Sequence, residues 1–140
     1  MKTRLRLTIS GLGLLLAVPT VWAHHAFSAE FDQERPIKLK GTVTQWEVVN
    51  PHSWIHIDVK GDDGKTTPWM IEGGSPNSLF RMGFTKNSLP AGTEILVEGY
   101  QAKDRSNLAV GKNITLPSGK RLFLGGSASE AEAAAAAGKK

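Results

Sequence analysis

From Ile55 to Val59 the chain alternates apolar and polar side chains without a slip. On an extended strand, Ile55, Ile57 and Val59 fall on one side, with Ser53 at the entry, while His52, Trp54, His56 and Asp58 fall on the other. A helix cannot satisfy a period of two, so this stretch demands a sheet with one buried and one open face. Asn50-Pro51 turns the chain into the strand, and Gly61-Asp62-Asp63-Gly64-Lys65 turns it out again as a hairpin loop. Those aspartates lack the spacing and the closing glutamate of a calcium loop, so they are read as turn residues. The outward row of two imidazoles, an indole and a carboxylate is a candidate contact surface.

The neighbouring segments extend the sheet. Ile37 to Val49 reads as the preceding strand, with Ile37, Leu39 and Val43 on one side and Lys38, Lys40, Thr42, Thr44 and Trp46 on the other. Gly41 and Gln45 disturb that alternation and predict a bulge or bend. Thr66 to Glu72 reads as a third strand, with Trp69 and Ile71 opposite Met70 and Glu72. Ser75 and Pro76 suit the cap and first position of a short helix, Leu79, Phe80 and Met82 its apolar side, and Gly83 its end. Thr93 to Ala102 reads as a fourth strand. Leu108 to Leu124 reads as a last pair or one bent strand, broken at Pro117-Ser118-Gly119. Three strands, a helix and one or two further strands is the order of an oligonucleotide- and oligosaccharide-binding (OB) fold. The expectation is therefore a mostly β domain: a small five-stranded OB-like Greek-key barrel with one short helix between strands 3 and 4. An open β-sandwich is the alternative.

The ends of the chain read differently. Lys2, Arg4 and Arg6 precede an apolar run from Leu7 to Val18, and Val21 and Ala23 suit a cleavage site. This is the layout of a signal peptide over residues 1–23, cut between Ala23 and His24, and too short to span a bilayer comfortably. Export to the periplasm follows, with no stable membrane anchor after cleavage. Residues 24–36 read as an N-terminal arm, 37–126 as the OB-like domain, and the Ala-rich 127–140 as a disordered tail. Removal of the leader lowers the basic count from 17 to 14 against 13 acidic residues. A near-neutral domain argues against nucleic acid as a partner. With no cysteine, the chain has no lipid-anchoring thiol, disulfide, thiol nucleophile or cysteine zinc site.

The four histidines come in two pairs, His24 with His25 and His52 with His56. After cleavage, His24 carries a free amine beside its imidazole, and His25 adds another nitrogen. Copper(II) favours such nitrogen-rich, roughly planar sites. His52 and His56 are four residues apart on a strand, roughly 13 Å between backbones. One of them, not both, is expected to join the arm. The metal candidates are thus His24, His25, His52 and His56, with copper as the ion. A second reading makes the row a ligand- or protein-binding face built on Trp46, Trp54 and Asp58, with small molecules or periplasmic proteins as partners. No serine elbow or zinc-protease motif is present, and the carboxylates are explained by strand alternation. No catalytic residue is assigned.

Longer stretches carry a resemblance. Ala23 to Asp32 (AHHAFSAEFD), Leu39 to Val43 (LKGTV) and Asn50 to Ile55 (NPHSWI) resemble an uncharacterised family of exported bacterial proteins. Glu72 to Asn77 (EGGSPN), Val97 to Tyr100 (VEGY) and Leu116 to Gly119 (LPSG) continue it. The resemblance implies export and a compact β domain, and implies no activity. The strand order is also similar to other periplasmic OB-type domains, including the haem chaperone of cytochrome c maturation, whose haem-attaching histidine motif is not matched.

Overall fold

A computed structural model describes residues 27–129 and 136. The leader, with the expected cut at Ala23, and His24 and His25 lie outside them. In chain order the elements are β1 Phe31–Glu47, β2 Trp54–Lys60, β3 Thr66–Glu72, the short helix α1 Pro76–Arg81, β4 Glu94–Ala102, β5 Leu108–Thr115 and β6 Arg121–Phe123. The sheet runs β3-β2-β1-β4-β5-β6, and β3 also pairs with β5. That last pairing is parallel, through Ile71 and Ala109, while the others are antiparallel. It closes strands 1-2-3-5-4 into a ring, which two facing open sheets would not do. The fold is OB-like, with β6 as a short added strand.

Alternation decides what fills the ring. Val43, Ile55, Ile57, Ile71, Ile95, Val97, Ala109 and Ile114 point inward and are at most 2 % exposed. Each large aliphatic side chain so buried contributes about 1.5–3 kcal/mol. Leu79 from α1, and Phe84 and Leu89 from the loop that follows, complete this core. Ser75 caps α1, its Oγ accepting from the Ser78 amide at 3.4 Å, and Pro76 opens the helix. Phe80 departs from the expectation for the helix: it is 40 % exposed, because the six-residue helix buries only Pro76 and Leu79.

The first strand makes the ring possible. Its first part pairs with β4 and its last part with β2, so it must bend between them. Gly41 sits at that transition, where a Cβ would lie 2.9 Å from Ile57 Cδ1 and 3.1 Å from the Asp58 carbonyl. Only a residue without a side chain lets β2 approach so closely. The strand also begins earlier than expected. Phe31 to Pro36, read as arm and turn, pairs with Tyr100 and Ala102 across an irregular register, because buried Phe31 draws it onto β4.

A second apolar cluster lies outside the ring. Phe27, Phe31, Ala102, Val110 and Ala128 pack together, with Tyr100 and Leu108 against them. Phe27 meets Tyr100 edge-on, with centroids 5.9 Å apart. Phe27 and Phe31 before the ring and Ala128 after it therefore cover the outer face of β4 and β5. This corrects the expectation that nothing beyond residue 126 packs: Ser127 to Ser129 form a helical turn, and Ala128 is fully buried. A methyl group suffices there because the aromatic rings of the arm already fill the larger space.

Candidate functional site

The open face of β1, β2 and β3 is built in rungs of three. Glu47, Trp54 and Glu72 form one, Gln45, His56 and Met70 the next, and Thr42, Asp58 and Pro68 the third. The expected row of Trp54, His56 and Asp58 is thus in place, half-buried along β2. Pro68 costs no ladder bond, since β5 pairs with β3 only from Met70 onward and leaves the Pro68 edge unpaired. His52 precedes the strand, beyond the cis Asn50–Pro51 peptide.

Trp46 is not on this face. Between Val43 and Gln45 the register slips by one residue, so Thr44 is a bulge and every later side chain changes sides. Trp46 comes to lie opposite Ile55 and packs against the core. Its ring sits 6.0 Å from Phe84, and its Nε1 donates to the Thr85 carbonyl at 3.3 Å. Trp46 and Trp54 therefore do not form a shared platform, and Trp54 is left as the outward indole.

The two described histidines have separate partners. His56 Nε2 lies 3.1 Å from Glu47 Oε1, although the two are not aligned as a hydrogen bond. The same Glu47 oxygen accepts from Gln45 Nε2 at 2.7 Å. His52 Nδ1 lies 3.1 Å from Glu72 Oε1. The His52 imidazole is 43 % exposed, whereas the Glu72 side chain is only 5 % exposed. Sequence alternation placed Glu72 on an open face and missed its burial. No signal in the sequence marks it, because its cover comes from the distant ends of the chain.

Burial pushes the Glu72 carboxyl above the ordinary carboxylate range. His52 opposes that rise, Glu30 adds to it, and the Ser127 hydroxyl pulls weakly downward without forming a well-aligned hydrogen bond. Glu30 belongs to the arm and Ser127 to the turn after β6, so segments from before and after the ring meet at this carboxylate. Ser53, beside His52, is fully buried, and its Oγ has no hydrogen-bond partner. Its backbone is satisfied, with the amide donating to the Gly74 carbonyl at 3.0 Å and the carbonyl accepting from the Gly73 amide at 2.8 Å.

Among the described residues no three His, Cys, Asp or Glu side chains are grouped closely enough to hold a metal ion. No helix among them is long and apolar enough to cross a membrane.

Fold and face together define an OB-like β domain with an imidazole–carboxylate pair at the edge of its open face. The chain belongs to a family of unknown function (DUF6152), whose family model matches residues 13–111. No curated protein matches it. Among solved structures, it is similar to the mitochondrial single-stranded DNA binding protein Rim1 of S. cerevisiae, at 17% identity and a TM-score of 0.47. That likeness covers 59% of this chain and 92% of the other.

Proposed function

We propose that this chain is an exported, periplasmic binding or accessory protein, without catalysis, that holds copper through His24, His25 and His52. The observation that carries the reading is the His52–Glu72 contact at 3.1 Å. Histidines that bind metals commonly direct one ring nitrogen to a carboxylate, which fixes the ring and raises the basicity of the other nitrogen. Here Glu72 takes Nδ1, leaving Nε2 as the coordinating atom on a half-exposed ring. His56 fits less well, since its Nε2 faces Glu47 and its side chain is 26% exposed.

Chain length supports the same choice. Phe27 is anchored in the outer cluster beside Val110, and Val110 pairs with Glu72. Two residues of chain reach at most about 7 Å, a length that would let His25 come to that carboxylate. Cleavage after Ala23 would add the His24 amine and imidazole. The copper would be held by nitrogen donors suited to its divalent form.

A narrower second reading keeps the outward face as a protein- or ligand-binding surface. It rests on Trp54 and on Met70, which is 41% exposed in the rung beside it. Trp46 drops out of that surface because it faces the core. The proposal is tested by intact-mass and elemental analysis of protein recovered from its native compartment. A chain starting at His24 with one copper per molecule supports it. A chain that retains residues before His24 removes its chelating amine and refutes it.

A further inference from the structure

The last strand leaves a sheet edge open. β6 pairs antiparallel with β5, Arg121 facing Thr115, Leu122 facing Ile114 and Phe123 facing Asn113. Just outside the strand, the Leu116 amide donates to the Lys120 carbonyl and the Leu124 amide to the Lys112 carbonyl, each at 2.9 Å. Hydrogen-bonded pairs alternate with non-bonded ones along an antiparallel ladder. Lys120, Leu122 and Leu124 therefore turn their backbone groups toward β5. Arg121 and Phe123 turn theirs to the other side, where no backbone group among the described residues meets them.

The side chains of this edge do not blunt it. Edge strands are ordinarily protected by cover, proline or an inward charge. Here Leu122 is buried in the core, while Phe123 is 58 % exposed, more than any other large apolar side chain among the described residues. Two positions before it, Arg121 donates through Nη2 to Glu98. With the Asn113 amide oriented to satisfy both of its ends, the Asn113 oxygen accepts from the same Nη2 at 2.8 Å. A guanidinium held in its plane by such acceptors keeps its flat face for an aromatic ring.

We infer that β6 pairs with the β6 of a second copy of this chain about a two-fold axis at Leu122, each Arg121 lying against the Phe123 of the other copy. Free backbone groups occur only at Arg121 and Phe123, which leaves three antiparallel registers. Setting Arg121 against itself opposes like charges and brings Phe123 against Gly119, in a turn at φ 81°. Setting Phe123 against itself brings Arg121 against Gly125, which is buried and has φ 62°. The register between them has neither fault. It joins the N–H and C=O groups of both residues in both copies, and it lays each ring on a guanidinium. A foreign strand would meet the same backbone groups, but the arginine–phenylalanine match comes from the chain's own copy. Pairing about a two-fold axis occupies the edge and so closes at a dimer. None of the proposed copper ligands takes part, so either reading can fail alone.

The test is sedimentation equilibrium of the chain as processed by an exporting host, with EDTA present so that no metal bridges two copies. A three-residue ladder is a small contact, and a monomer–dimer equilibrium with Kd on the order of 100 μM is expected. Phe123→Lys sets a like charge against Arg121 and should weaken the dimer at least about tenfold. Phe123→Glu removes the same ring but offers Arg121 a carboxylate, and should stay within about threefold of the parent. Val49→Lys, at another exposed apolar position, should change nothing. Both changes at Phe123 lie at one exposed site, so the contrast between them reads the register independently of any common loss. A chain that stays monomeric up to about 1 mM, a dimer indifferent to Phe123→Lys, or equal losses from Phe123→Lys and Phe123→Glu would overturn the pairing.

Discussion

His52 and Glu72 face each other at 3.1 Å across the end of β2 and β3, with the imidazole half in solvent and the carboxylate out of it. The asymmetry sets their roles. A buried carboxylate orients its partner, and the exposed ring presents its second nitrogen outward.

The pair makes stability depend on pH in a definite direction. Burial raises the folded-state Glu72 carboxyl above the ordinary carboxylate range, so the native state keeps its proton over a window that begins in that range and extends upward. Within this window the folded state binds more protons than the unfolded one, and stability falls as pH rises. Glu72→Gln, which mimics the protonated form, should be more stable than the parent at about pH 7 and equal to it below about pH 4. Urea midpoints at several pH values measure the difference. A parent that gains on the variant as pH rises would contradict it.

Trp46 and Trp54 should behave in opposite ways. Trp46→Ala removes a ring packed on Phe84 and the core, and should cost about 2–4 kcal/mol in urea unfolding. Trp54→Ala, on the open face, should cost about 1 kcal/mol or less. Equal losses would mean that the register slip at Thr44 does not place them on opposite faces.

Gly99→Ala should be among the most damaging single changes. Its Cβ would need to occupy the space of the Val110 carbonyl, 2.0 Å away, and β4 and β5 would have to separate. A loss of about 3 kcal/mol or more is expected. Gly64→Ala, in an open turn at φ 78° with nothing near its Cβ, should cost only about 1 kcal/mol. Thermal melts of the two variants suffice to rank them.

The docked C-terminal turn can be checked with one pair of alanines. Ala128→Asp puts a charge into the cluster of Phe27, Phe31 and Val110, and should cost about 2 kcal/mol or more. Ala136→Asp changes an exposed helical position and should stay within about 0.5 kcal/mol. A silent Ala128→Asp would mean that the turn does not cover the sheet.

These variants also mark where the sequence was legible. The alternation from Ile55 to Val59, the cap at Ser75-Pro76 and the break at Pro117-Ser118-Gly119 are local signals, and the fold follows from their order. Trp46 was read onto the wrong face because Thr42-Val43-Thr44-Gln45 is mostly polar and gives no sign of which residue is the extra one. A single bulge then inverts all that follows. The outer cluster was hidden for another reason. Its members are separated by most of the chain, and Ala128 enters an alanine-rich run whose composition matches a tail that packs on nothing. The burial of Glu72 follows from that same long-range cover. His52 and His56 were visible as candidates, but their carboxylate partners, which distinguish them, depend on register.

The central claim is that His52, held by Glu72, completes a copper site with the mature N-terminus. Calorimetric titration of copper(II) into protein beginning at His24 tests it most directly. One ion per chain should bind more tightly than about 1 μM, with the affinity reduced at least about tenfold by His24→Ala and by His52→Ala and unchanged by His56→Ala. Binding weaker than that limit, or binding that survives His52→Ala but is lost in His56→Ala, would contradict it.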